Sequence, residues 1–337
     1  MFGFSDLYEY KFKIWINHDI VSTYGGHGNE SVKRSRIESL VKQQWINVNN
    51  YYNRQNGFQS RFNFIPYKFD YFQDNSNETH MDNIDFKVPL PDDDCDYRVI
   101  YAHSTYNHRI HSDYFNRSIR FSVNPESEWN ETIWDLYSTR ILSHELGHSR
   151  GAYDLYSVNV NGNQNQVYPG VNYNYPIGSI MNYLYDLNTN FDKLSMYVIN
   201  QYAGRIVTPE LSSAMFWSLF PSKFGVQVKD MANNSIRNVL VTFYGVRWLA
   251  DGININDRFE RKTDNHGRVT FDGNEIKNNP YQRSGPTSLS TFSNFLMVIY
   301  NEVCERKVCV IRMMLNFFVG KWFNELVTGI SCSNSKN

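Results

Sequence analysis

The sequence is poor in cysteine and in net charge, and each shortage excludes a class of protein. Four cysteines among 337 residues are too few for a disulfide-stapled scaffold, and none has the paired spacing of a cysteine-ligated zinc site. The 33 basic and 34 acidic residues leave a net charge of −1, with no basic run. We therefore expect neither nucleic acid nor an anionic membrane as a partner.

The chain also lacks an apolar run long enough to span a bilayer. Its most apolar stretch, residues 308–323, is interrupted by Arg312 and Lys321 and is typical of buried strands. The N-terminus does not show a basic segment followed by an apolar one, so we do not interpret it as a signal peptide.

What the sequence does contain is typical of a globular protein. Hydrophobic residues make up 41% of the chain and charged residues 20%, and this balance excludes a disordered chain. The length favours two domains. The high aromatic content, 16%, favours aromatic cores and β structure.

Hydrophobic periodicity predicts mixed secondary structure in the first two thirds of the chain. Helical spacing predicts three helices: residues 31–53 with Ser31 as the cap, residues 130–149, and residues 190–204 ended by Gly204. Alternation of apolar and polar residues predicts four strands, at residues 11–20, 61–72, 97–104 and 119–124.

From Val226 onward, short alternating segments are separated by Asn, Asp and Gly turns, a pattern typical of a β-sandwich. The fold class expected is therefore α+β followed by an all-β domain. We predict a first domain over 1–205, a connector over 206–224, an immunoglobulin-like sandwich over 225–320 and a tail over 321–337.

The segment HELGHSRGAYD (144–154) contains the residues with the clearest chemistry. His144 and His148 are four positions apart, so on a helix both imidazoles project from one face, as two ligands of a single Zn²⁺ require. Glu145 lies beside the first ligand, where it can reach a water on the metal. A catalytic zinc site has three protein ligands and one open position, so a third ligand is expected.

Asp154 is the first candidate for that third ligand. Gly151 tolerates a positive φ and can end the helix in a sharp turn, and this turn would bring the Asp154 carboxylate back towards the metal. The alternative is an acidic residue on a later helix, for which Asp192 is the candidate.

The full pattern, His-Glu-x-x-His-x-x-Gly-x-x-Asp, resembles that of the metzincin zinc proteases. Their usual third ligand is histidine, and aspartate there is found in a minority branch typified by snapalysin. The segment GSIMNY (178–183) is similar to the metzincin Met-turn. The resemblance implies that Met181 forms an apolar floor under the metal and that Tyr183 lies beside it.

The resemblance, which covers about residues 10–204, implies a metzincin-like catalytic domain and a zinc-dependent metalloendopeptidase. Zinc would activate water and polarise the scissile carbonyl, with Glu145 as general base and the Tyr183 hydroxyl stabilising the oxyanion. A protein or peptide substrate would lie along an edge strand within 105–118. An extracellular or cell-surface monomer with one catalytic zinc is expected.

Other interpretations stay open. A non-catalytic zinc-bearing adhesin that binds through the sandwich is the alternative function, although a purely structural site would have no use for Glu145. Three further features could serve as a second metal site, a Ca²⁺ site and a hairpin disulfide. The second metal site would use His103, His108 and His111. The Ca²⁺ site would be the acidic turn 92–96, for which a solvated turn is the simpler interpretation. The disulfide would join Cys304 and Cys309.

Overall fold

A computed structural model gives the fold of most of the chain. It describes residues 6–73, 94–103, 111–113, 117–123, 136–152, 154, 161–167, 169–172, 178–182, 190–207, 223–229, 232–246, 253–272 and 295–300.

The chain divides into two compact units. The first comprises Met1–Tyr153 and Gly178–Thr208, and the second comprises Asp154–Ile177 and Pro209–Asn337. No sequence pattern indicates that residues 154–177 belong with the C-terminal part of the chain, as they do in the second unit.

The first unit is built on a five-stranded sheet with the strand order β2-β1-β3-β5-β4. Strands β1, β2, β3 and β5 run parallel, and the short β4 pairs antiparallel with β5 at the edge of the sheet. The strands are β1 (Leu7–Asn17), β2 (Arg61–Phe72), β3 (Tyr97–His103), β4 (His111–Asp113) and β5 (Ser118–Val123).

Strand β1 lies inside the sheet, and from Phe12 to Asn17 its side chains are buried on both faces. Phe12 packs against Trp45 and Tyr97, with ring centroids 4.6 Å and 5.4 Å away. On the opposite face of the strand, Trp15 belongs to a separate cluster with Phe72, Ile100 and Ala102. Burial on both faces is expected of a strand with parallel neighbours on either side.

Among the described residues of this unit, four helices accompany the sheet: α1 (His18–Tyr24), α2 (Glu30–Asn53), α3 (Leu136–Ser149) and α4 (Lys193–Gln201). Helix α2 meets β3 where the Trp45 indole N–H donates to the Tyr101 hydroxyl (3.3 Å). It meets α3 where the Tyr52 hydroxyl donates to the Ser143 carbonyl (2.9 Å). Burial raises the pKa of Tyr52 well above its ordinary value, so this hydroxyl keeps its proton for that bond.

Two asparagines of α2 bind the backbone of β2 as a neighbouring strand would. The Asn49 amide accepts from the Phe64 N–H (2.8 Å) and donates to the Phe64 carbonyl (3.0 Å). Asn53 does the same with Phe62, at 3.0 Å and 2.8 Å. Because the two asparagines are four positions apart, they lie on one face of the helix and reach alternate residues of the strand.

Some predicted boundaries are wrong, for local reasons. The strand predicted over 11–20 ends at Asn17, because the Asn17 side chain accepts from the Asp19 N–H (2.7 Å) and caps α1. Ser31 is not the cap of α2: Asn29 accepts from the Val32 N–H (3.0 Å) instead. The helix predicted over 190–204 is shorter, and the chain turns at Gly204 with φ +75°.

The described part of the second unit consists mainly of antiparallel strands. A three-stranded sheet has the order β10-β7-β8, and β6 pairs with β9. Phe243, Phe259 and Phe271 form its aromatic centre, with ring centroids 4.8–5.4 Å apart. The strands are β6 (Lys223–Gln227), β7 (Leu240–Val246), β8 (Ile253–Lys262), β9 (Arg268–Asp272) and β10 (Phe295–Tyr300).

The structure therefore confirms a mixed α/β architecture with four parallel strands in the first unit. The metzincin-like fold and the immunoglobulin-like sandwich stay predictions. No helix in the described part of the chain has the length and apolar character needed to cross a bilayer.

Candidate metal centre

Helix α3 ends in a turn that requires glycine. The Ala152 N–H donates to the Gly147 carbonyl (2.9 Å) and the Gly151 N–H to the His148 carbonyl (2.7 Å), which is the hydrogen-bond pattern of a Schellman motif. Gly151 has φ +89°, a conformation that L side chains rarely adopt. The prediction that Gly151 ends the helix with a positive φ is confirmed.

The two predicted imidazole ligands meet on one face of α3. His144 is buried and His148 half-buried, and their Nε2 atoms lie 3.1 Å apart with the rings at 86° to each other. The His144 Nδ1–H donates to the Ile180 carbonyl, and the His148 Nδ1–H donates to the Ala152 carbonyl, both at 2.9 Å. A carbonyl oxygen can only accept, so each ring carries a proton on Nδ1.

This arrangement fits a metal cation. With the protons on Nδ1, the lone pairs of both Nε2 atoms are available, and a cation between the two atoms would offset their repulsion. Two nitrogens about 2.0–2.1 Å from a tetrahedral Zn²⁺ are about 3.3 Å apart, close to the observed 3.1 Å. Backbone carbonyls behind metal-binding histidines are the usual device that fixes the ring orientation.

Asp154 completes a group of three candidate ligands. A carboxylate oxygen of half-buried Asp154 and the ring nitrogens of His144 and His148 all lie within 4.8 Å of one another. Among the described residues, this is the one group in which three His, Cys, Asp or Glu side chains lie close enough together to hold a metal ion. Two imidazoles and one carboxylate suit zinc, but other divalent metals accept the same donors.

Met181 lies against α3 between the two histidines. A Cβ at Gly147 would be 2.9 Å from the Met181 sulfur and 3.0 Å from a carbon of the Phe191 ring. Glycine at position 147 therefore allows the buried Met181 to approach the helix backbone. Residues 179–182 form a tight turn in which the Asn182 N–H donates to the Ser179 carbonyl (2.9 Å).

Glu145 follows His144 on the same helix and is only 5% exposed. Successive residues on a helix are rotated by about 100°, so Glu145 extends to one side of the helix face that carries the two imidazoles. A carboxylate in that position can accept a proton from a water molecule at the cation without being a third ligand.

A buried arginine supports the C-terminal end of α3. Arg150 is fully buried, donates to the Arg205 carbonyl (2.8 Å) and to the Tyr97 hydroxyl, and lies 3.9 Å from the centre of the Tyr10 ring. Tyr97 in turn donates to the Ser149 carbonyl (3.1 Å). Burial raises the pKa of Tyr97, against the opposing effect of Arg150. The end of the metal-site helix is thus bonded to β3 and to the segment after α4.

Asp192, the alternative third ligand, has other partners. Its carboxylate accepts hydrogen bonds from Ser179 and Ser195 and does not belong to the metal-binding group. In the acidic turn, Asp94 pairs with Lys68 (2.7 Å), whose hydrogen bond lowers the pKa of Asp94. Asp96 accepts from the Lys11 N–H (2.7 Å).

Several predicted features lie outside the described residues or side chains. Tyr183, His108, Cys304 and Cys309 are not described, and for His103 and His111 only the strand backbone is. Cys95 is buried.

Neither a scan against protein-family models nor a search of curated proteins finds a match for this chain.

Sequence reasoning missed three contributors to the site. Gly147 is an unspecified position in the His-Glu-x-x-His pattern, and its packing role becomes visible only where Met181 contacts the helix. The carbonyl partners of the imidazoles, from Ile180 and Ala152, carry no side-chain signal. The bond between Ser179 and Asp192, a residue considered only as a direct ligand, depends on two separate segments packing together.

Proposed function

We propose that this protein is a zinc-dependent metallopeptidase that hydrolyses peptide bonds in proteins. The observation that supports it best is the convergence of two Nε2 atoms, 3.1 Å apart, from imidazoles whose Nδ1–H groups both donate to backbone carbonyls. Asp154 supplies the carboxylate, and Glu145 is adjacent. The sequence resemblance to metzincins agrees with this set.

In the proposed reaction each residue has a separate task. His144, His148 and Asp154 hold the ion, and a bound zinc ion polarises the substrate carbonyl and activates water. Glu145 takes the proton from the attacking water and delivers it to the leaving amine. Met181, buried under the helix, keeps water from reaching the ligands from below.

The edge strand β4 is the proposed docking place for an extended substrate. It lies within the range predicted from the sequence, 105–118, and among the described strands it pairs with β5 on one side. Helix α3 contacts β4, so a peptide added at this edge would run past the imidazoles. Addition of a strand to an edge satisfies the peptide backbone without regard to its sequence.

The test combines metal analysis with hydrolysis of unfolded casein. The purified chain should contain about one zinc per molecule, as the tetrahedral three-ligand site requires, and a chelator should abolish hydrolysis that added zinc restores. Glu145→Gln should keep the zinc and lose about 10²–10⁴-fold in rate. Bound zinc without hydrolysis in the wild type would favour the adhesin-like binding protein, and absence of zinc would refute both.

A further inference from the structure

The carboxylate of Asp192 links the start of α4 to the turn under the imidazoles. It is 6% exposed and accepts hydrogen bonds from Ser195 and Ser179, three of which make this link. Two come from Ser195 on the helix itself, from its N–H to Oδ1 (3.0 Å) and its hydroxyl to Oδ2 (2.5 Å). The third comes from the Ser179 hydroxyl to Oδ2 (2.6 Å). The Ser195 bonds cap the helix, whereas the Ser179 bond reaches another segment.

Ser179 also forms a hydrogen bond with the peptide unit between Ile180 and Met181. Its oxygen accepts the N–H of Met181 (3.1 Å), and the carbonyl of that same peptide unit, on Ile180, accepts from His144 Nδ1 (2.9 Å). A trans peptide is planar, and its N–H and C=O point in opposite directions. Fixing the N–H at Ser179 therefore fixes the direction in which the carbonyl meets the imidazole.

All the donors in this series point the same way. The imidazole donates to the Ile180 carbonyl, the Met181 N–H donates to Ser179, and the Ser179 hydroxyl donates to the carboxylate. Hydrogen bonds aligned in this manner polarise and strengthen one another. The negative charge of Asp192 thus increases the electron density that His144 offers at Nε2, as a carboxylate does when it bonds a metal-binding imidazole directly.

We infer that Asp192 and Ser179 are positioning residues that orient His144, and increase its donor strength, through the Ile180–Met181 peptide. This inference rests on the metal site of the proposed function. The sequence offered Asp192 as a direct ligand, whereas the structure gives it an indirect role, since its two oxygens are occupied by the serines.

Two serine variants separate this role from a structural one. Ser179→Ala removes the link to the peptide, and Ser195→Ala removes a hydroxyl from the same carboxylate oxygen but leaves the link intact. Both should lower the stability of the fold to a similar degree. Only Ser179→Ala should weaken Zn²⁺ binding, by about 10–100-fold in competition with a chelator, and change the visible spectrum of the Co²⁺-substituted protein. Asp192→Asn, which keeps an acceptor but loses the charge, should fall between.

A measurement on the metal-free protein tests the inference separately from the proposed function. At mildly alkaline pH, ¹⁵N NMR should show His144 as the Nδ1–H tautomer in the wild type and in Ser195→Ala, and a mixture with the Nε2–H tautomer in Ser179→Ala. Equal tautomer populations in all three proteins would overturn the inference, as would equal zinc affinity for the two serine variants. Zinc binding that depends on Ser179 without any casein hydrolysis would refute the peptidase and support the inference.

Discussion

Replacing Gly151 with alanine is expected to destabilise the first unit strongly, because two separate effects act at this position. The backbone has φ +89°, and an L residue in the left-handed region costs about 1–2 kcal/mol. A Cβ there would also lie 2.6 Å and 2.7 Å from two carbons of the Tyr202 ring. Overpacking of this kind costs about 1–3 kcal/mol, so the expected loss is about 2–5 kcal/mol.

Gly178→Ala is the matched control in the same unit. Position 178 is exposed, and a Cβ there would find no heavy atom within 4 Å, so its effect should stay within about 0.5 kcal/mol. Urea unfolding followed by tryptophan fluorescence gives both differences, and chelator competition gives the zinc affinity, which Gly151→Ala should also lower because the turn leads to Asp154. A Gly151→Ala protein as stable as the Gly178→Ala protein would refute the reasoning.

Two further predictions concern other parts of the chain. Burial raises the pKa of Tyr51 to about 12, whereas an unfolded tyrosine titrates near about 10. The stability due to this group is therefore complete below about pH 10 and is lost as the pH rises towards 12, with a slope of up to about 1.4 kcal/mol per pH unit. Tyr51→Phe should reduce that slope in urea titrations at alkaline pH, and an unchanged slope would contradict the assignment. In the second unit, the buried Thr263 hydroxyl accepts from the Val239 N–H (3.0 Å) and donates to the Ile236 carbonyl (2.9 Å). Thr263→Val should cost about 1–3 kcal/mol in urea unfolding, and a loss no larger than that of the exposed Thr270→Val would show that these bonds contribute little.

The elements of the first unit were largely predictable, because each has a strong local pattern. Strands β2, β3 and β5 and helices α2 and α3 were all foreseen from hydrophobic periodicity. Two of the boundary errors lie where an asparagine side chain competes for the backbone, as Asn17 and Asn29 do. Such caps depend on which of several polar residues adopts the extended conformation, and the hydrophobic pattern does not determine this choice.

The candidate metal ligands were predictable for a different reason. His144 and His148 are related by helical spacing alone, and Gly151 and Asp154 follow within six residues of His148, so the whole group is encoded locally. The residues that fix the imidazoles are not. His144 bonds Ile180, 36 positions away, and the link through Ser179 to Asp192 depends on how distant segments pack. Every residue type has a backbone carbonyl, so no sequence pattern predicts which carbonyls will accept hydrogen bonds from the imidazoles.

The asparagine pair of α2 has a consequence for solubility. Outer strands of open sheets display unpaired N–H and C=O groups, and a second molecule can add to them as the first step of aggregation. At Phe62 and Phe64 those groups are already occupied by amides from the molecule's own helix, and Pro66, two residues farther along, has no N–H to offer. Self-association through β2 would have to displace a helix first, whereas the opposite edge of the sheet carries no such asparagine pair among the residues described.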